Sequence, residues 1–335
     1  MPQVKATQTV DPYQLNPEEV PEELLLSHYL AETEKFRHAG VFKGPLAWDT
    51  LDNIGPYLES LEPSVDAELR RAMAEPRNVC ECGGNIVGNV LIEEGADIEP
   101  FVIIRATEGG VYVGKNVKIR AFTRIEAVGG VWYLEEGVVL EAGCDLWGYG
   151  LIGAGSVLTD SVLRGKIHLG EENHLLKAYL LGPTVVGNHC ELRPGAFLRE
   201  NSLFGDHIEF RSESKNSVVM DGFSDKATAA AHYAYIGDSI LGRGVNFGAG
   251  TKTSNLKVDR SPVNVIVNGV KYVTGRKKFG AVVGDEVETG CLTVFDPGAL
   301  VGPRTLTYPG TALRGYYPPN SIIKLRQTHE IVERR

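Results

Sequence analysis

The sequence of 335 residues has no apolar stretch approaching the roughly 18 residues that a membrane-crossing helix needs. Its start, MPQVKATQTVDPYQ, lacks the apolar core of a signal peptide, so a cytoplasmic protein without a membrane partner is expected. Positive charge is not in excess: 34 lysines and arginines stand against 43 acids, a net charge of −9, which argues against nucleic acid as a partner. Cysteine is scarce. The five (Cys80, Cys82, Cys144, Cys190 and Cys291) are odd in number and form no two C-x-x-C pairs, so neither a disulfide framework nor a metal site is expected. They read as reduced and mostly buried. With 43% of its residues apolar, the chain can fill one large core and still carry an appendage.

Residues 1–80 have a texture of their own, with 14 acids against 7 bases and two runs that suggest helices. In NPEEVPEELLLSHYLAETEKFR, Asn16 and Pro17 give a cap and first-turn signal; in SVDAELRRAMAE, Ser64 precedes a short amphipathic pattern. The segment holds no glycine-rich phosphate loop. It reads as a helical arm, a packing or interaction appendage.

After Cys80, apolar residues return every six positions. Val186, Leu192, Leu198, Phe204 and Phe210 keep that interval, as do Val283, Thr289, Phe295, Val301, Thr307 and Leu313, with earlier traces at Ile92, Ile98, Ile104 and at Val113, Ile119, Ile125. Neither an amphipathic helix nor a two-residue strand alternation produces such a beat. Short strands joined by tight corners do, with the branched residue turned inward and a small residue at the bend. An ordinary β-sandwich would instead place strands about 8 to 12 residues apart.

This pattern resembles the hexapeptide-repeat transferases. The resemblance implies a mainly β protein, a left-handed parallel β-helix over residues 81–318, with the arm at 1–80 able to cap its N-terminal end and a tail at 319–335. From Leu192 onward it narrows. The segments LRPGAF, GDHIEFR, AAHYAYIGDSILGRGVNFGAGTKTSN and VVGDEVETGC resemble the acetyltransferase half of the bifunctional N-acetylglucosamine-1-phosphate uridyltransferase/glucosamine-1-phosphate acetyltransferase.

That resemblance implies acetyl-CoA as cosubstrate, an amino-sugar phosphate as acceptor and a homotrimer with its sites between neighbouring prisms. His232 falls on the family's catalytic base, a role that suits imidazole because an ammonium has no lone pair with which to attack a thioester. The alternative reading keeps His232 as a buried, hydrogen-bonded core histidine. Arg193 matches the sugar-phosphate arginine, whose fork suits phosphate oxygens. Tyr235, Asn246 and Asn255 match substrate-binding positions, and the backbone near Ala249 and Cys291 would line the coenzyme groove.

There are departures. Arg211 stands where the family has a lysine, and no lysine stands near Ser261, where Lys257 or Arg260 would have to substitute. An insertion, SPVNVIVNGVKYVTGRKKFG, alternates apolar residues around Asn268-Gly269 and predicts a protruding hairpin near 261–280. It resembles the insertion in archaeal-type sugar-phosphate nucleotidylyltransferases that carry an acetyltransferase β-helix. Residues 252–278 hold seven cations and one acid, a candidate anion site in which Lys277 and Lys278 would meet coenzyme A phosphates. Residues 1–80 are too short for the family's nucleotidyltransferase domain, so uridylyl transfer is not expected. Two rival readings remain. One is a non-catalytic sugar-phosphate or nucleotide-sugar binding β-helix; the other is a zinc enzyme like the γ-class carbonic anhydrases, whose spacing His168, His174, His189 and His207 do not show.

Overall fold

The computed structural model describes residues 8–74 and 85–334, so Cys80 and Cys82 lie outside the described residues. From Ile86 to Ile323 the chain winds as a parallel β-solenoid of about 13 turns. Each coil carries three strand positions, and each strand pairs in parallel with its counterpart one coil away. Glu191–Leu192 pairs with Ile208–Phe210, Phe197–Leu198 with Glu213–Lys215, and Ser202–Phe204 with Ser217–Val219. We call these the first, second and third faces.

The six-residue beat marks the interior except at its start, where Ile92 is 37% exposed in the first described coil. Val186, Leu192, Leu198, Phe204 and Phe210 are each at most 1% exposed and belong to one continuous core. Where the beat falls on threonine, hydroxyls pair inside: Thr251 with Thr289 and Thr293 with Thr307, each at 2.9 Å. Such pairing offsets the desolvation of the buried oxygens. In four early coils the strands Ile103–Val113, Arg124–Leu134, Asp145–Ile152 and Val162–Leu169 run through the corner between second and third faces. Gly148, at φ +120°, is needed there, because a Cβ on it would stand 2.3 Å from the carbonyl oxygen of Gly165.

The arm differs from the expected one. The run beginning at Asn16 folds as single 3₁₀ turns, Pro17–Glu19, Glu22–Leu24, Leu26–His28 and Thr33–Lys35, not as an α-helix. Pro21 stops a helix from running on from Pro17, since inside a helix it lacks the N–H and clashes with the preceding turn, and beyond it the buried Leu24, Tyr29, Leu30 and Phe36 have no single helical stripe. Asn16 does open the first turn, its backbone N–H and side-chain amide both donating to the Glu19 carboxylate at 3.0 Å. Helix α1 (Thr50–Ser60) was not legible, because Gly55-Pro56 in its middle reads as a break; it forms because Leu51, Ile54 and Leu58 are all buried. Helix α2 (Ala67–Ala74) is capped by Asp66, which accepts from the N–H groups of Glu68 (2.7 Å) and Leu69 (3.3 Å), and not by Ser64.

Nor do the described residues of the arm cap an end. They run along the third face from the last coils back to the first. His28 meets the Tyr316 hydroxyl at 2.9 Å, the Tyr29 carbonyl accepts from Asp285 N, the Glu59 carbonyl accepts from Lys166 Nζ at 2.6 Å, and the Met73 carbonyl accepts from Asn89 Nδ2 at 2.9 Å. The cause lies in an outward column that is itself apolar: Val185, Leu203, Val218, Ile240, Val282 and Leu300 occupy the same register in successive coils. All are buried against Leu24, Tyr29, Phe36, Trp48 and Ile54 of the arm. Each such side chain gains about 1.5–3 kcal/mol from leaving water.

The insertion forms the expected hairpin, Asn264–Val267 antiparallel to Val270–Val273, with positive φ at both Asn268 and Gly269. It does not protrude. Val263, Val265 and Val267 are buried in the arm's core, and Gln8–Val10 adds a third strand parallel to Val270–Val273. The solenoid also continues past residue 318, through Ile322–Ile323. Beyond it, residues 324–334 have no regular structure.

Candidate active site

The turn between first and second faces recurs in successive coils, and hydrogen bonds fix its register. The carbonyls of His232, Ala249 and Cys291 accept from the N–H groups of Gly250 (2.8 Å), Leu292 (2.7 Å) and Gly310 (2.8 Å). His232, Ala249 and Cys291 therefore occupy one position of one corner in three consecutive coils, about 4.8 Å apart. Four sequence segments far apart in the chain meet here. Arg211 and Arg193 continue the corner below, Tyr233 N donating to Arg211 O at 3.0 Å and Arg193 N to Phe210 O at 2.8 Å.

His232 is exposed, and among the described residues nothing bonds its ring. The buried-histidine reading is thus overturned: the corner turn lifts the side chain away from the core. Cys291 is exposed for the same reason, the exception among the described cysteines. Cys144 and Cys190 are buried, and burial pushes their thiols up to about 11 and about 12, where they stay protonated and inert.

Tyr233 was missed by the sequence reading. It takes φ +54° in the left-handed slot that Gly195, Gly250 and Leu292 (φ +58°) fill in other coils, so this corner holds large residues as well as glycine there. The Arg211 guanidinium lies 4.4 Å over the Tyr233 ring and bonds its hydroxyl, while Nε donates to the Pro194 carbonyl at 3.0 Å. Lys252 Nζ donates to the Tyr233 carbonyl at 2.6 Å.

Arg193 reaches the corner with its fork already engaged. Nε and Nη2 donate to Glu191 at 2.9 and 2.6 Å, and Glu209 stands 3.4 Å away. Tyr235 and Asn255 come together on the second face, Asn255 Nδ2 lying 3.2 Å from the tyrosine hydroxyl. Burial, then the nearby Asp238 and Glu213, raises the Tyr235 pKa and keeps its proton in place. Asn246 is exposed on the first face, in register between Ala229 and Glu288, three residues before Ala249.

The structure does not bring Lys277 and Lys278 to the Ala249–Cys291 corner. They follow the hairpin, where Lys278 bridges Leu256, so the width of the second face, about 10 Å for three strand residues, separates them from it. The seven cations do not form one patch. Arg276 pairs with Asp52, and Lys257 Nζ bonds Ser261 Oγ at 2.6 Å, which brings an ammonium to the place where the resemblance expects a lysine. Of the histidines weighed for zinc, His189 and His207 stack at 5.0 Å and His168 is buried on the third face.

No family model matches the chain. Curated relatives do. A bifunctional sugar-1-phosphate nucleotidylyltransferase/acetyltransferase of Sulfurisphaera tokodaii is 37% identical over 127 residues, 38% of this chain and 29% of that protein. The bifunctional protein GlmU of Methanococcus vannielii is 39% identical over 121 residues, 36% of this chain and 27% of that protein. About a third of the chain has GlmU relatives. A GlmU of Geotalea uraniireducens aligns more widely, 28% identical over 216 residues, 64% of this chain and 38% of that protein. The chain thus spans well under half the length of the curated GlmU proteins it matches. Among solved structures, an Arabidopsis UDP-N-acetylglucosamine acyltransferase aligns over 70% of this chain and 71% of that one, at 15% identity and a TM-score of 0.20, too slight a likeness to carry an argument. Among the described residues no helix is long and apolar enough to cross a membrane.

Proposed function

We propose that the chain is an acyltransferase that moves an acetyl group from acetyl-CoA to the amine of a glucosamine-1-phosphate-like amino-sugar phosphate. One observation carries the reading: the unbonded, exposed imidazole of His232 is stacked in register with Ala249 and Cys291, above Arg211. In this reaction the amine nitrogen attacks the thioester carbonyl while His232 takes its proton; the C–S bond then breaks, and coenzyme A leaves as a thiolate that is protonated to the thiol. No covalent enzyme intermediate is required. Arg211 and Arg193 face the phosphate, Tyr235, Asn246 and Asn255 hold the sugar, and the Ala249–Cys291 corner lines the coenzyme groove.

A corner has neighbours on one side only. A homotrimer, in which a second prism closes the groove, supplies the missing wall and lets Lys277 and Lys278 of that copy approach coenzyme phosphates across the interface. The experiment offers acetyl-CoA and glucosamine 1-phosphate together and measures free thiol release. Turnover that requires both supports the reading; thiol release that ignores the sugar refutes the acceptor.

A second reading has a specific observation behind it. The Arg193 fork is held by Glu191 and Glu209, and a phosphate has to displace them. Together with Arg211 standing where the resemblance has a lysine, this weakened phosphate clamp is the ground for a non-catalytic binder of sugar phosphates or nucleotide sugars. Calorimetric binding of glucosamine 1-phosphate without turnover would favour it.

A further inference from the structure

Asp238 lies at the end of the second face with φ +46° and is 5% exposed. Its carboxylate is shared between two amides: Oδ1 accepts from Asn216 Nδ2 at 2.9 Å, and Oδ2 accepts from Asn255 Nδ2 at 2.5 Å. Its backbone is pinned as well. Asp238 N donates to Lys215 O at 3.0 Å, and Asp238 O accepts from Gly280 N at 2.8 Å, where the chain returns from the insertion. The neighbouring Phe279 N donates to Asn255 O at 2.9 Å, and the buried Phe279 ring packs 6.0 Å from Trp48 of the arm. The arm and the insertion therefore hold both Asp238 and Asn255 from behind.

The chemistry of this cluster has one consistent assignment. A carboxylate accepts and does not donate, so the amide nitrogen of Asn255, not its oxygen, must face Asp238. The two amide protons are then both spent, one on Asp238 and one on the Tyr235 hydroxyl 3.2 Å away. Asn255 Oδ1 is left as a free acceptor, and the Tyr235 hydroxyl, already accepting, is left to donate.

We infer that Asp238 is the positioning residue that fixes the amide of Asn255 and, through it, the hydroxyl of Tyr235, so that the site presents an acceptor beside a donor. The matching ligand group donates and accepts at neighbouring atoms, as an amine beside a hydroxyl or phosphate oxygen does. The inference rests on the reading of Asn255 and Tyr235 as substrate-binding residues. Asp238 acts through its neighbours and touches no reacting atom.

The test uses Asp238→Gly, which keeps the left-handed backbone and removes only the acceptor, and Asp238→Asn, which keeps one acceptor once Asn216 turns over. With acetyl-CoA and glucosamine 1-phosphate, Asp238→Gly is expected to lower kcat/KM about 100-fold, the cost of a misplaced contact group, and Asp238→Asn to recover most of that loss. In an Asn255→Ala background, Asp238→Gly is expected to add less than about a twofold change. Losses that multiply in the double variant, or an Asp238→Gly enzyme with full activity, overturn the inference. A wild-type chain that does not turn over this sugar refutes the acceptor instead, and a crystal structure of Asp238→Gly then decides the positioning alone. Asn255 turned away from Tyr235 is the expected result, and an unmoved Asn255 overturns it.

Discussion

Lowering the pH from 7.5 to 5 should loosen the arm from the solenoid, because two imidazoles are held neutral where they meet, His38 on the arm and His168 on the third face. His38 bonds the Tyr57 hydroxyl at 3.1 Å and is flanked by Arg37 and Asp206; burial, then Arg37, lowers its pKa from 6.5 to about 4. His168, on the third face, has a buried Nε2 without a partner and is likewise lowered to about 4 by burial, with Lys166 and His38 adding to the effect. A base whose pKa is depressed in the docked state takes up protons first when released. Stability is therefore whole above pH 6.5 and is lost as the pH falls towards 4. For a shift of this size each imidazole contributes about 2 kcal/mol at pH 5, with a ceiling of about 3 kcal/mol below pH 4. Asp221, Asp285 and Glu135, raised by burial, work in the opposite direction but only as the pH reaches the carboxylate range. Emission from Trp48, fully buried against Phe279, and limited proteolysis of residues 8–74 both report release. In the variant His38→Gln/His168→Leu the dependence should flatten, Leu matching the column neighbours Leu151 and Val185. Arm release that is independent of pH between 7.5 and 5, or a double variant that keeps the full dependence, would refute the reasoning.

Substituting His232 by alanine should leave the melting temperature nearly unchanged, an exposed side chain away from caps and cores costing within about 0.5 kcal/mol. Turnover of acetyl-CoA and amino-sugar phosphate should fall about 10²- to 10⁴-fold in the same preparation, with coenzyme binding retained. A fully active His232→Ala variant would remove the residue from the proposed mechanism. Gly148→Ala has to move the Gly165 carbonyl and accept a left-handed φ, so a clear drop in melting temperature is expected by calorimetry. An unchanged transition would show that the early corner adjusts freely.

The interior was legible because it is written locally. In a solenoid each coil repeats the packing problem of the last, so Val186, Leu192 and Leu198 meet the same environment six residues apart, and periodicity alone identifies them as core. The candidate corner was legible only through the resemblance that pointed to His232, Ala249 and Cys291; lying 17 and 42 residues apart, they are seen to share one position only once the coils stack. Tyr233 takes the next position, and its contact with Arg211 emerges only when coils are set in register. Whether His232 is buried was left open by the sequence, because alanines and tyrosines beside it suit a core, whereas the corner geometry turns it outward.

What the sequence determined by itself was the repeat, the inward residues and the hairpin at Asn268-Gly269, all set by contacts within a coil or a turn. Tertiary structure decided the rest. Whether residues 8–74 cap an end or run along a flank depends on the column from Val185 to Leu300, whose members are separated by 15 to 42 residues and become one apolar stripe only when the coils stack. Whether Lys277 and Lys278 join a site depends on where a long insertion returns, and whether Arg193 is free depends on Glu209 one coil away. Such contacts have no period in the chain, since they are set by the stacking of coils and by the apolar surface that stacking leaves uncovered.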